Sequence, residues 1–171
     1  MDRARRWLLV LFVLLAGVGL WIHARSYGFF ADDAFITLRY GRMLWEHLSP
    51  VYNLGERVEG YTSPLWMVIA ACAHVSSEPV VVMQVVGGVC AVLWLAGVAR
   101  LWMLVESKQV WGGMVVLAAM ALSCPVAAWT MGGLETPLFG ALLTWSIAEA
   151  GCLVGKRRGV WRAAGVGVLH R

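Results

Sequence analysis

Apolar runs long enough to cross a bilayer dominate this chain. Residues 7–22 are 16 uninterrupted apolar or glycine positions behind Arg3, Arg5 and Arg6. Three later runs, 80–105, 110–131 and 137–155, reach or approach the roughly 20 residues that a transmembrane helix needs. Another begins near Val160 and is still running at Arg171. The stretch 64–75 is equally apolar but has only 12 residues, which suits an interfacial or re-entrant helix rather than a span. Positions 34–48 read as a helix on which Arg39, Arg42 and Glu46 form one charged stripe. Ile36, Leu38, Tyr40, Met43, Leu44, Trp45 and Leu48 fill most of the remaining surface, so this helix should lie in the interface or pack on the spans. Leu48-Ser49-Pro50 ends it, and the section up to Pro64 is turn-rich and charged. The pattern predicts an all-α, polytopic transmembrane protein. Its spans lie near 7–23, 80–105, 110–131 and 137–155, with an incomplete one over 160–171, and a long loop over 24–79 carries the interfacial helices.

Composition sharpens this. The chain has 171 residues, 60% apolar and 14% charged, against roughly 45–50% and about 25% in a soluble domain. With a mean hydropathy of +0.72, soluble globular, disordered and coiled-coil classes are excluded. The net charge of +4 is expected to set orientation in a membrane rather than to bind nucleic acid. If residues 64–75 do not cross, nine basic residues fall on the side of the N-terminus and four on the other. If they do cross, the division becomes three against ten. The positive-inside rule selects the first version, with a cytoplasmic N-terminus and with 24–79 and 132–136 outside. The residues after the first run, His23 to Tyr27, offer no small-x-small cleavage site, so that run is read as an uncleaved anchor.

Seven of the ten acidic residues then lie outside: Asp32, Asp33, Glu46, Glu56, Glu59, Glu78 and Glu135. Each has a plain explanation. Asp32 and Asp33 could cap a helix, Glu56 to Glu59 could be a solvated turn, and Glu135 could mark a helix start. Arg100 and Glu149 fall inside spans near a cytoplasmic end, where snorkelling would serve both. The four histidines and four cysteines have no partners at metal-ligand spacing and read as structural. Together, however, carboxylates gathered at a membrane surface suit a general base, a divalent-cation site, or both. Arg57 could hold a phosphate through bidentate hydrogen bonds. Base, cation and phosphate holder at a bilayer point to group transfer from a lipid phosphate.

The run from Asp32-Asp33-Ala34-Phe35-Ile36-Thr37-Leu38-Arg39-Tyr40 is followed by Tyr52-Asn53-Leu54-Gly55-Glu56-Arg57-Val58-Glu59-Gly60-Tyr61-Thr62-Ser63-Pro64-Leu65-Trp66. Gly133-Leu134-Glu135-Thr136-Pro137 comes later. This pattern resembles the N-terminal part of bacterial GT-C class glycosyltransferases, nearest to the mycobacterial-type terminal arabinofuranosyltransferases and their relatives. The resemblance implies an enzyme of the bacterial plasma membrane with an extracytoplasmic active face. Its donor would be a sugar on polyprenyl phosphate, and its acceptor an envelope glycan; it does not fix arabinose as the sugar. By position, Asp32 or Asp33 would be the catalytic base. Glu135 would assist and, with Asp33, could hold a divalent cation (magnesium, manganese or calcium). Arg57, Glu59 and Tyr61 would line the pocket for the donor phosphate and sugar. Members of the family continue through further spans, so this chain is expected to be a fragment or a truncated product. The rival expectation is a non-catalytic membrane assembly or scaffold protein. A transporter fits less well, because its ionisable groups belong at the bilayer midplane.

Overall fold

A computed structural model describes residues 3–56, 58, 60–105 and 109–163. Every regular element among them is a helix: α1 (Arg3–Tyr27), α2 (Asp32–His47), α3 (Pro64–Ala73), α4 (Pro79–Val105), α5 (Val110–Leu122), α6 (Cys124–Met131) and α7 (Thr136–Ala163). Three helices are long and apolar enough to cross a membrane, α1, α4 and the Thr136–Val154 part of α7; the bent pair α5–α6 makes a fourth if it counts as one span. At 1.5 Å per residue the 25 residues of α1 extend about 37 Å, more than the roughly 30 Å hydrocarbon core.

One face of α1, formed by Leu9, Val13, Ala16, Leu20 and Ala24, is buried against Ala91, Leu95, Leu117 and Ala127. The steps of three and four are those of a helical stripe. Trp7, Leu11, Leu15, Val18 and Ile22 on the same helix stay uncovered. A helix that is apolar all round yet half covered is at home in lipid and not in water. α4 runs antiparallel to α1, with Trp21 over Gly88 and Val92 at Gly17. It runs parallel to α7, where Trp94 lies against Gly140 and Thr144 against Gly97. Small residues facing large ones let these backbones approach closely.

The structure differs from the sequence reading in three places. The expected single span over 110–131 is bent by 60° between α5 and α6. Pro125, in the first turn of α6, has no amide hydrogen to give to the carbonyl of Ala121, four residues back. His23 Nδ1 occupies that carbonyl instead, at 3.1 Å, which leaves this histidine with the structural role expected of it. The pair still travels the bundle once, from beside the end of α4 to residue 132 beside residue 31. Secondly, Arg100 and Glu149 do not reach separately for an interface. Arg100 Nη2 pairs with Glu149 Oε1 at 2.6 Å, and the guanidinium lies 5.6 Å from the Trp145 ring centroid. Among apolar helices a charge costs less with a partner than without one. Thirdly, α7 continues as helix through Ala163, so the expected break between 155 and 160 is not there; residues 164–171 lie outside the described residues.

The short apolar stretch forms α3, and α2 packs along it. Gly41 makes this possible: a Cβ there would stand 2.8 Å from the backbone carbonyl carbon of Ala70 and the amide nitrogen of Ala71. His74 Nε2 closes the far end on the carbonyl of Leu38 at 3.0 Å.

Candidate functional site

The chain turns from α1 into α2 through residues 28–31 and is sewn there to the connection between α6 and α7. The amide of Ala31 donates to the carbonyl of Gly132 at 2.9 Å. Trp66, fully buried on α3, donates its indole N–H to the carbonyl of Gly133 at 2.8 Å. Gly133 has φ +84° and sits directly against Phe30 and Ala34. An L side chain is disfavoured in that left-handed conformation, and here it would also have no room. Three segments distant in sequence therefore share one end of the bundle, which we call the acidic end.

Asp32 and Asp33 are the first two residues of α2, and both are exposed. Ala31 occupies the N-cap, and no side chain caps the helix. The capping explanation for the pair is thereby set aside: the carboxylates complement the positive helix end without being consumed by its amides. Neither is in a hydrogen bond or ion pair with another described residue. Glu135, half-buried, immediately precedes α7 and accepts the amide of Phe139 on its backbone carbonyl at 2.9 Å. Its side chain is likewise unpaired among the described residues. The bond between residues 31 and 132 thus brings all three predicted carboxylates to the same end.

Tyr61 belongs to a different cluster. It packs edge-on against Tyr40 at 5.1 Å between ring centroids, and Tyr40 lies eight residues, about 12 Å, along α2 from Asp32. Arg57 and Glu59 lie outside the described residues, but Val58 between them is held: Tyr40, almost wholly buried, donates its hydroxyl to the Val58 carbonyl at 2.6 Å. Arg39 Nε donates to the Tyr52 carbonyl at 3.0 Å, and Asn53 Nδ2 donates to Glu56 at 3.1 Å. Sequence reading placed Tyr40 merely on an apolar face and missed this role. Tyrosine rather than phenylalanine at a buried position is the signal, because a buried hydroxyl demands a partner. Tyr40→Phe should leave the Val58 carbonyl with one bond fewer, a loss of about 0.5–1.5 kcal/mol. Amide hydrogen exchange over 51–63 should then accelerate several-fold; an unchanged rate would show the loop is held elsewhere. Further along α2, Arg42 Nε donates to Glu46 at 2.8 Å, and this hydrogen bond holds the Glu46 carboxyl below its usual pKa.

Among the described residues no group of three or more His, Cys, Asp or Glu is placed to hold a metal ion. The acidic end also carries a small cavity of about 160 Å³, lined by Arg25, Gln84, Gly28, Phe29 and Met131. Comparison with protein-family models, curated proteins and solved structures finds no match to this chain.

Proposed function

We propose that the protein is a membrane glycosyltransferase that moves a sugar from a polyprenyl-phosphate donor to a hydroxyl of an extracytoplasmic envelope glycan. It would sit in the bacterial plasma membrane with its N-terminus in the cytoplasm and its acidic end outside. The observation that carries this reading is the bond from Ala31 to Gly132. It joins the acidic start of α2 to the segment bearing Glu135, where the packed pair α2–α3 meets the long apolar helices.

In the reaction, one of Asp32 and Asp33 takes the proton of the acceptor hydroxyl while the other orients the acceptor. The acceptor oxygen attacks the anomeric carbon, the bond from that carbon to the phosphate oxygen breaks, and the bonding pair leaves with the lipid phosphate. The sugar's configuration inverts. Glu135 flanks the acceptor from the other segment, and Arg57 and Glu59 would meet the donor phosphate and sugar from the loop that Tyr40 anchors. Both exposed carboxylates can reach a substrate without first breaking an internal bond, as a general base must.

A panel of polyprenyl-phosphate sugars, offered to membranes containing the protein with envelope glycan as acceptor, tests the proposal. Transfer from at least one donor, absent from control membranes, is the expected result. No transfer from any of them would leave the scaffold alternative in possession.

A further inference from the structure

The last turn of α1 spans the break between α5 and α6. Before the break, the carbonyl of Ala121 has lost its helical partner to Pro125 and takes the Nδ1 hydrogen of His23 at 3.1 Å. A carbonyl only accepts, so Nδ1 carries the hydrogen and, in the neutral ring, Nε2 is left as an acceptor. Tyr27, one turn on, donates its hydroxyl to that Nε2 at 3.3 Å. After the break, the same hydroxyl faces the thiol of Cys124, the first residue of α6. Ser123 between the two arms is extended, at φ −71° and ψ 118°, so the 60° between them is not the angle of a continuous helix.

The other end of α6 is held by the continuation of the same stretch. Phe29 meets Trp129 edge-on at 6.2 Å between ring centroids, and the Ala31 amide donates to the carbonyl of Gly132 at 2.9 Å. Residues 23–31 therefore grip both ends of a helix of eight residues, about 12 Å long. Its exit has no slack. Gly133, at φ +84°, is pressed against Phe30 and Ala34, and Trp66 holds its carbonyl at 2.8 Å. A change in the tilt of α6 is not absorbed there and passes into residues 132–135. Three extended residues reach about 10 Å, so a tilt of about 15° moves Glu135 by about 2–3 Å.

We propose that His23 is a positioning residue: by holding the Ala121 carbonyl it sets the tilt of α6, and through α6 the place of Glu135 relative to Asp32 and Asp33. The hold on α6 stands on the hydrogen bonds; its consequence for sugar transfer rests on the proposed function.

Pulsed electron paramagnetic resonance on the purified chain tests the inference, with spin-labelled unnatural residues at exposed positions. The pair Trp111 and Thr136 reads the bend, and the pair Ile36 and Thr136 reads the segment against α2. At 60° the two arms span about 27 Å end to end, against about 31 Å when straight. His23→Leu should lengthen the first distance by about 2–4 Å and shift the second by about 2 Å. The amide nitrogen of asparagine stands where Nδ1 does, so His23→Asn should keep both within about 1 Å of the parent. In His23→Leu/Pro125→Ala the restored amide satisfies the carbonyl, and this fully paired variant should straighten furthest. With sugar transfer as the readout, His23→Leu should lower kcat about tenfold or more at an unchanged donor KM, and His23→Asn should keep most of it. A bend that survives in both leucine variants, or an asparagine variant as displaced as His23→Leu, overturns the hold on α6. A bend that opens while the distance from 36 to 136 stays fixed, or while kcat is unchanged, overturns the link to Glu135. Absence of transfer in the parent removes the proposed function and leaves the two distances to judge the inference.

Discussion

Replacing Asp32 and Asp33 together by asparagine should reduce sugar transfer by about 10²–10⁴-fold, the range over which a positioned general base acts. Asparagine keeps the size of each side chain and removes the ability to accept a proton. The fold should barely notice. Each acid in the first turn of a helix is worth about 0.3–1 kcal/mol through the helix dipole, while even a hundredfold rate loss corresponds to about 2.7 kcal/mol of barrier. Because the side chains are exposed and make no bond to other described residues, nothing buried is left unpaired by the change. The thermal midpoint of the purified double variant should therefore stay near that of the parent while turnover nearly vanishes. The single variants should be unequal, the base carrying most of the loss and its neighbour the smaller part. Undiminished transfer in Asp32→Asn/Asp33→Asn would remove the base assignment.

The largest expected effect on stability is at Gly133. In Gly133→Val the backbone at φ +84° would carry a β-branched side chain in the left-handed region, at about 1–2 kcal/mol. The new Cβ would overlap the Phe30 ring and stand 2.7 Å from the Ala34 Cβ, and overpacking of this kind costs about 1–3 kcal/mol. Displacing the segment would also leave the buried Trp66 N–H without its acceptor, a further 1–3 kcal/mol or so. The sum, roughly 3–8 kcal/mol, is a large part of the roughly 5–15 kcal/mol that separates folded from unfolded proteins. Chromatography and thermal melting in detergent should show a strongly destabilised protein. Gly55→Ala separates the two causes. Gly55 has φ +90°, and a methyl group there would meet nothing within 4 Å, so it should lose the backbone part alone. A Gly133→Val variant that melts like the parent would show that the joint between α2 and the 132–135 segment tolerates movement.

How far the fold was legible follows from which forces write themselves into local pattern. The burial stripe of α1 and the lengths of α1 and α4 are consequences of continuous apolar runs, and they emerged close to where those runs begin and end. The shortness of α3 was likewise visible as a run of 12 residues, of which Pro64–Ala73 became helical. The end of α2 was announced by Ser49-Pro50, and the chain does leave the helix at Leu48, whose φ is 52°. What hydropathy could not register was the bend at Ser123. Its effect depends on one missing amide hydrogen at Pro125, while the residues around it remain uniformly apolar. The ion pair of Arg100 with Glu149 was hidden for a different reason: 49 positions separate two charges whose meeting depends on the parallel packing of α4 and α7.

The acidic site divides in the same way. Asp32, Asp33 and Glu135 could be picked out because carboxylates are scarce in so apolar a chain. Sequence by itself determined that this is a helical chain with spans of membrane length and with acids concentrated in the connecting segments, since hydrophobic periodicity and charge scarcity are local properties. Only the tertiary structure decided that residue 31 meets residue 132, that Tyr61 stands two helical turns away from the aspartates, and that Arg25 and Gln84 share one small cavity. Those juxtapositions depend on hydrogen bonds and close approaches between segments up to about a hundred residues apart, and no local pattern encodes the partner of a backbone carbonyl.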